Sequence, residues 1–377
     1  MIGAALLFAA AQIVPTHCQT AVVPVLYDPN GARVITACDD SLPDDLLWNL
    51  DRADQVSGDL DGKFNRRIDG RGSVIYVIDS GILADHDEFM TATGSRVIAG
   101  VDLLAGVPGG AMPCGSNWAL APCTDFPLGV MIDGHGTAVA SVAAGNRVGV
   151  APGATLVSIR ALGFVKPTPE RFLAAFDAVI KNAWDPATPQ FRTGIVTLSF
   201  GLDQFDGRVD AMIRRMVGGV DRDGNPDPNG KRFFFTFFGG NVGSNHCDDN
   251  GNILVYPSSA GAAINGAVTV GGLSKPNEIW SGSCRSAGIE VWAPAADLVV
   301  ASLTGHDHYH PLYISSGTSY AAPYVAGIAA RMLQRNPSLT PEEIEAAMKA
   351  SPARVDGGGA VPVFVPPDEV GRRRAVR

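Results

Sequence analysis

A serine, a histidine, an aspartate and an asparagine stand far apart in this chain, each near glycine and each beside an apolar run. Ser319 lies in Gly317-Thr-Ser-Tyr-Ala-Ala-Pro-Tyr-Val-Ala-Gly327, where a helix can begin. A hydroxyl there sits at the positive end of a helix dipole, among backbone N–H groups that lack helical acceptors. Taken alone, Gly-Thr-Ser reads equally as a helix cap. His135 lies between Gly134 and Gly136, which let another backbone or a ligand come close. Asp79 ends the apolar run 73–78, and Asn241 follows the phenylalanine-rich run 233–238 and two glycines. Alone, each of these reads as a turn residue. Together the four types supply acyl transfer through a covalent ester. Serine is a weak nucleophile until a base takes its proton. Imidazole is such a base near neutral pH, and a carboxylate fixes its tautomer and stabilises the imidazolium. The Asn241 amide and the Ser319 N–H would bind the oxyanion.

The elements that must hold these groups read as α/β, with a mostly parallel central sheet and helices on both faces. The runs at 73–78, 156–159, 194–200 and 231–238 are largely apolar, as suits strands buried on both faces. Asp79 and Asn241 fall at the C-terminal ends of two of them, where open α/β sheets place their sites. Thr168 with Pro169, Asp206, and Thr340 with Pro341 and Glu343 are helix starts. Two runs around Asp28-Pro-Asn-Gly31 read as a β-hairpin. Between Asp221 and Asn229, oxygen side chains alternate at Asp221, Asp223, Asn225, Asp227 and Asn229. Such alternation can fold onto a structural calcium ion, or it can be a polar, turn-rich insertion.

Composition narrows the field. The chain has 377 residues, 46% of them hydrophobic, and a formal charge of −9. The acidic balance argues against a nucleic-acid partner. Residues 1–11 read as a secretory leader, short of a spanning helix and without a Lys or Arg ahead of the apolar stretch. A secreted or periplasmic protein, not held in a membrane, is therefore expected, and the six cysteines agree with an oxidising compartment. Pairing in sequence order (Cys18–Cys38, Cys114–Cys123, Cys247–Cys284) is one of the arrangements that six cysteines allow. Residues 12–46 form a hairpin and linker, 47–352 one large domain, and 353–377 a loose tail.

The order Asp79, His135, Ser319, with the segments Val77-Ile-Asp-Ser-Gly-Ile82, Asp133-Gly-His-Gly-Thr-Ala-Val-Ala-Ser141, Thr197-Leu-Ser-Phe-Gly201, Gly239-Gly-Asn241 and 317–327, resembles the subtilisin family of serine proteases. Trp48-Asn-Leu-Asp-Arg52 is closest in look to the proteinase K branch. The resemblance implies a serine endopeptidase, with Asp79, His135 and Ser319 as triad and Asn241 as oxyanion donor. No cofactor takes part in catalysis, the partner is a protein or peptide substrate, and a monomer is expected. The substrate would pair as a strand with the segment holding Ser199, Phe200 and Gly201, while Phe238, Gly239 and Gly240 would wall the first specificity pocket, for an apolar side chain. The same triad could pass the acyl group to an amine instead, and a catalytically silent binding protein could keep the fold. Three departures stand out. Residues 12–46 are fewer than the roughly 40 a folded pro-domain needs. Tyr320 and Tyr324 replace the family's usual Met and His, at positions that do not touch the chemistry in the family pattern. Pro167 stands where a second substrate-flanking strand would need a backbone donor.

Overall fold

The computed structural model describes residues 25–27, 33–35, 47–57, 59–105, 132–163, 165–274, 278–301 and 312–364. The leader, the linker at 39–45, Phe164, the chain beyond 364 and Cys18, Cys38, Cys114 and Cys123 lie outside the described residues.

Strands β1 (Val25–Tyr27) and β2 (Arg33–Ile35) come first, then α1 (Trp48–Arg52), β3 (Val74–Asp79), the short pair β4 (Met90–Thr91) and β5 (Gly94–Ser95), and β6 (Val97–Asp102). The middle of the chain carries α2 (Ile132–Ala144), β7 (Thr155–Arg160), α3 (Pro169–Ala183), β8 (Thr193–Leu198), α4 (Gly207–Gly218) and β9 (Arg232–Phe238). After these come β10 (Ala267–Ser274), β11 (Glu278–Ile279), β12 (Val291–Pro294), β13 (Leu298–Ala301), β14 (Leu312–Ser315), α5 (Thr318–Arg335) and α6 (Pro341–Lys349).

The main sheet runs β11-β10-β9-β8-β3-β7-β6, with β12 beside β10. Every pair is parallel except β10 with β11. Alternate residues of β3 enter opposite cores, as a strand buried on both faces requires. Ile75 and Val77 join the apolar cluster that contains α2 and α5. Val74, Tyr76 and Ile78 join the cluster with α3 and α4. The expected caps form: Thr168 accepts from Arg171 N–H, Asp206 from Arg208 and Val209 N–H, and Thr340 with Glu343 makes a capping box. The expected hairpin is present as β1 and β2, and β2 joins β14 in a second, four-stranded sheet.

Residues 353–364 differ from the loose tail expected of them. Ala353 and Val361 are fully buried, Val361 N–H donates to Ala353 O at 2.9 Å, and Phe364 N–H donates to Ala53 O at 2.8 Å. Gly357 and Gly358, at φ 95° and 97°, make a turn that composition alone reads as looseness.

Helix α5 passes through the core almost wholly buried, so its small residues decide how close its neighbours come. A Cβ on Gly327 would lie 2.6 Å from the Val150 side chain and 2.8 Å from Ala143 O. At the far end of the helix Arg331 is fully buried and ties together segments distant in sequence. Its Nε donates to Ile68 O (2.8 Å) and its Nη2 to Asn65 O (2.7 Å), while its guanidinium lies 4.7 Å from the Phe64 ring centre and 5.1 Å from that of Phe364. Arg331→Leu leaves two half-buried carbonyls without these donors and loses both ring contacts. It should lower the unfolding free energy by about 3 kcal/mol. The check is urea denaturation: the midpoint should fall with an unchanged slope.

Candidate active site

The site begins at the end of β3. Asp79 is 1% exposed, and its Oδ1 accepts from Ser80 N–H at 2.7 Å and lies 2.8 Å from His135 Nδ1. His135 is in the first turn of α2. That helix can approach the strand so closely because residue 136 has no side chain: a Cβ there would lie 2.3 Å from Gly81 O and 3.2 Å from the Asp79 Cβ. Gly136 N–H donates to Ser80 Oγ at 2.9 Å, so a second bond brackets the carboxylate–imidazole pair. With Nδ1 turned to the carboxylate, the neutral ring keeps its lone pair on Nε2. Burial by itself lowers the pKa of the imidazole, but the charge and hydrogen bond of Asp79 outweigh it, and the net shift is upward from 6.5.

Ser319 is the second residue of α5. Its carbonyl accepts from Ser199 Oγ at 2.7 Å, and its own hydroxyl points to Ser199 O at 3.5 Å, the far limit of a hydrogen bond. This reciprocal pair ties the start of α5 to the end of β8. Among the described residues no hydrogen bond joins Ser319 to His135. The two are brought near one another through Tyr320, whose ring centre is 6.3 Å from that of His135. A serine hydroxyl is re-aimed by one bond rotation, and such bonds are commonly long before substrate arrives.

Asn241 follows Gly240, whose φ of 85° turns the chain out of β9. Its Oδ1 accepts from both Thr318 N–H (2.9 Å) and Thr318 Oγ1 (2.8 Å). Those donors set the amide so that Nδ2 is left for another acceptor, 3.8 Å from where a Gly317 Cβ would stand. Behind the turn, Cys284 N–H donates to Gly240 O at 3.0 Å, and Cys247 and Cys284 form a disulfide.

The expected substrate-flanking residues fall around this centre in different roles. Ser199 touches Ser319, as described. Strand β8 ends at Leu198, so Ser199, Phe200 and Gly201 follow it, and the Phe200 ring packs 5.1 Å from that of Phe172. A Cβ on Gly201 would meet Tyr256 O at 2.6 Å. Phe238 is 1% exposed, within the core and edge-on to His246. Gly239 and Gly240 are packed from behind, where added Cβ atoms would meet Val270 O and Cys284 Sγ, each at 2.6 Å. On the rim, Lys166 pairs with Asp203.

The loop 221–229 does not gather its oxygens around one point. Asp221 Oδ1 accepts from Asp223 N–H (2.9 Å) and Asn225 N–H (2.8 Å), and its Oδ2 accepts from Asn225 Nδ2 (3.2 Å). Asp227 likewise takes Asn229 N–H at 2.9 Å. The same pattern recurs at Asp248, which accepts from Asn250 N–H, Asn252 N–H and Asn252 Nδ2. Both are Asp-x-x-Gly-Asn turns that spend the carboxylate on their own amides. Among the described residues no three His, Cys, Asp or Glu side chains converge as metal ligands. The Asp221 carboxylate is thus engaged by its own turn.

Two residues near the centre escape the sequence pattern. Thr318 orients Asn241, and its only signal is adjacency to Ser319. Tyr320, which the family pattern sets apart from the chemistry, lies instead against the histidine ring.

Residues 70–362 match the Subtilase family. The chain is 28% identical over 319 residues to alkaline serine exoprotease A of Vibrio alginolyticus, covering 84% of this chain and 49% of that protein. It is 29% identical over 303 residues to an extracellular serine proteinase of Thermus sp. (strain Rt41A), covering 80% and 60%. This chain thus spans only half to three fifths of those relatives' length. The crystal structure of a cold adapted subtilisin-like serine proteinase superposes with a TM-score of 0.60 at 27% identity, over 85% of this chain and 98% of that one. A match across most of the sequence, joined to a parallel sheet of this topology, makes the chain a member of the subtilase family.

Proposed function

We propose that this chain is a serine endopeptidase that hydrolyses peptide bonds through an acyl-enzyme, exported from the cell and nearest the proteinase K branch. The observation that carries the reading is the Asp79–His135 pair facing the start of α5, where Ser319 stands beside an Asn241 amide whose orientation is set by Thr318. The names of the two relatives support export, and Trp48–Arg52 ahead of the first core strand supports the branch.

In this reading His135 Nε2 takes the Ser319 proton as Oγ bonds to the carbonyl carbon. The carbonyl π electrons move to oxygen, which Asn241 Nδ2 and the Ser319 N–H stabilise. Collapse breaks the C–N bond, and the proton on His135 goes to the leaving amine. Water then repeats the two steps on the ester, giving a free carboxylic acid and restoring Ser319. The Asp79 carboxylate orients the ring and stabilises the imidazolium.

Calcium at residues 221–229 forms no part of this reading, because the Asp221 carboxylate is already engaged by its own turn. Asp221→Ala should lower the melting temperature equally with and without a chelator. A chelator-sensitive melting temperature that Asp221→Ala abolishes would restore the loop as a metal site.

Ser319→Ala and His135→Ala should each abolish labelling by a fluorophosphonate and peptide cleavage in folded protein. Asn241→Ala should lower kcat about 10²–10³-fold, by analogy with the loss of one oxyanion donor in subtilisin. Mass analysis of the products separates hydrolysis from ligation to an added amine. The pH profile tests the base. Asp79 keeps His135 protonated to higher pH, so kcat/KM should rise with pH about a midpoint above 6.5. A flat profile across that range removes His135 from the role.

A further inference from the structure

Resting on the reading of His135 as base, we infer that Tyr320 is a positioning residue for that histidine, an aromatic wall that holds the ring and favours its charged form during acyl transfer. The Tyr320 and His135 ring centres are 6.3 Å apart, with the planes inclined by 36°. This lies within the range over which aromatic pairs attract. Tyr320 is 2% exposed and the His135 side chain 15%, so solvent screens the contact only in part. The far end of Tyr320 is held as well, since its hydroxyl donates to or accepts from Ser315 Oγ at 3.0 Å, on the last residue of β14. The ring therefore cannot swing away without breaking that part-buried polar contact.

Among the described residues three groups lie about His135. Asp79 on β3 bonds its Nδ1, the Ser80 hydroxyl takes the N–H of the next residue, and the Tyr320 ring on α5 lies beside the imidazole. Among the described residues Asp79 supplies the charge that acts on the imidazole. Asp79 restrains the histidine only along the line from Nδ1. The imidazole can still pivot about that line, and a flat ring packed against it opposes the pivot. A π face near a cation also attracts it, so the ring is worth more when His135 is protonated than when it is neutral. The step that creates the imidazolium is the one in which Ser319 loses its proton.

The test is a series of Tyr320 variants read by pH profile. Tyr320→Leu and Tyr320→Met remove the ring. They should lower kcat about three- to ten-fold and move the acid limb of kcat/KM down by about half a pH unit, since loss of a group that favours the cation lowers its pKa. Tyr320→Phe keeps the ring and should restore the limb to the wild-type position, with a smaller change in kcat. Should the Leu variant fail to fold, Met against Phe carries the comparison at similar volume. An acid limb in the same place for Met, Phe and wild type overturns the inference. So does a Phe variant that behaves as Met does. If His135→Ala itself keeps activity, the assignment of the base has failed instead, and the two failures are told apart.

Discussion

A carboxylate almost out of reach of water needs a donor, and meeting that need at Asp79 organises the centre of this molecule. The residue ends an inner strand of a mostly parallel sheet, where both faces are covered and neither can supply solvent. The first turn of α2 supplies an imidazole N–H, and it arrives within 2.8 Å only because Gly136 lets the helix press against Gly81. Once α2 is fixed there, α5 must run alongside it, and the bare Cα of Gly327 permits that closeness. The start of α5 then falls beside the histidine. One hydrogen bond thus couples the packing of two helices to the relative positions of His135 and the start of α5.

The second half of the site is built differently. Asn241 hangs from a loop, and loops are held by what they touch. Its side-chain oxygen is claimed by Thr318, on the helix that carries Ser319, while its backbone turn rests on Cys284 and the disulfide to Cys247. The Asn241 amide and Ser319 are therefore positioned by the same helical turn. Relative geometry is preserved even if that turn shifts slightly against the sheet.

Much of this is legible in the residues themselves. Continuous apolar runs announce a buried parallel sheet because nothing else consumes so many apolar residues in a row. Thr168, Asp206 and Thr340 mark helix starts by local chemistry alone, and all three act as caps. Asp79, His135, Asn241 and Ser319 stand out because glycine accompanies each where backbones must approach. What escapes is what depends on distant partners. Tyr320 reads as an ordinary helix residue until α2 is laid against α5. The alternating oxygens at 221–229 fit either an ion or their own amides, and only the fold shows that the amides take Asp221. Strand β6 is half-exposed at the sheet edge, so its residues lack the long apolar run that marks its neighbours.

The bond from Phe364 N–H to Ala53 O has a topological meaning. It joins the residue just past α1 to a stretch far along the chain, next to Arg331, whose guanidinium also lies against the Phe364 ring. Trimming the chain short of residue 364 would therefore loosen the packing at the end of α1 as well as at the end of α5.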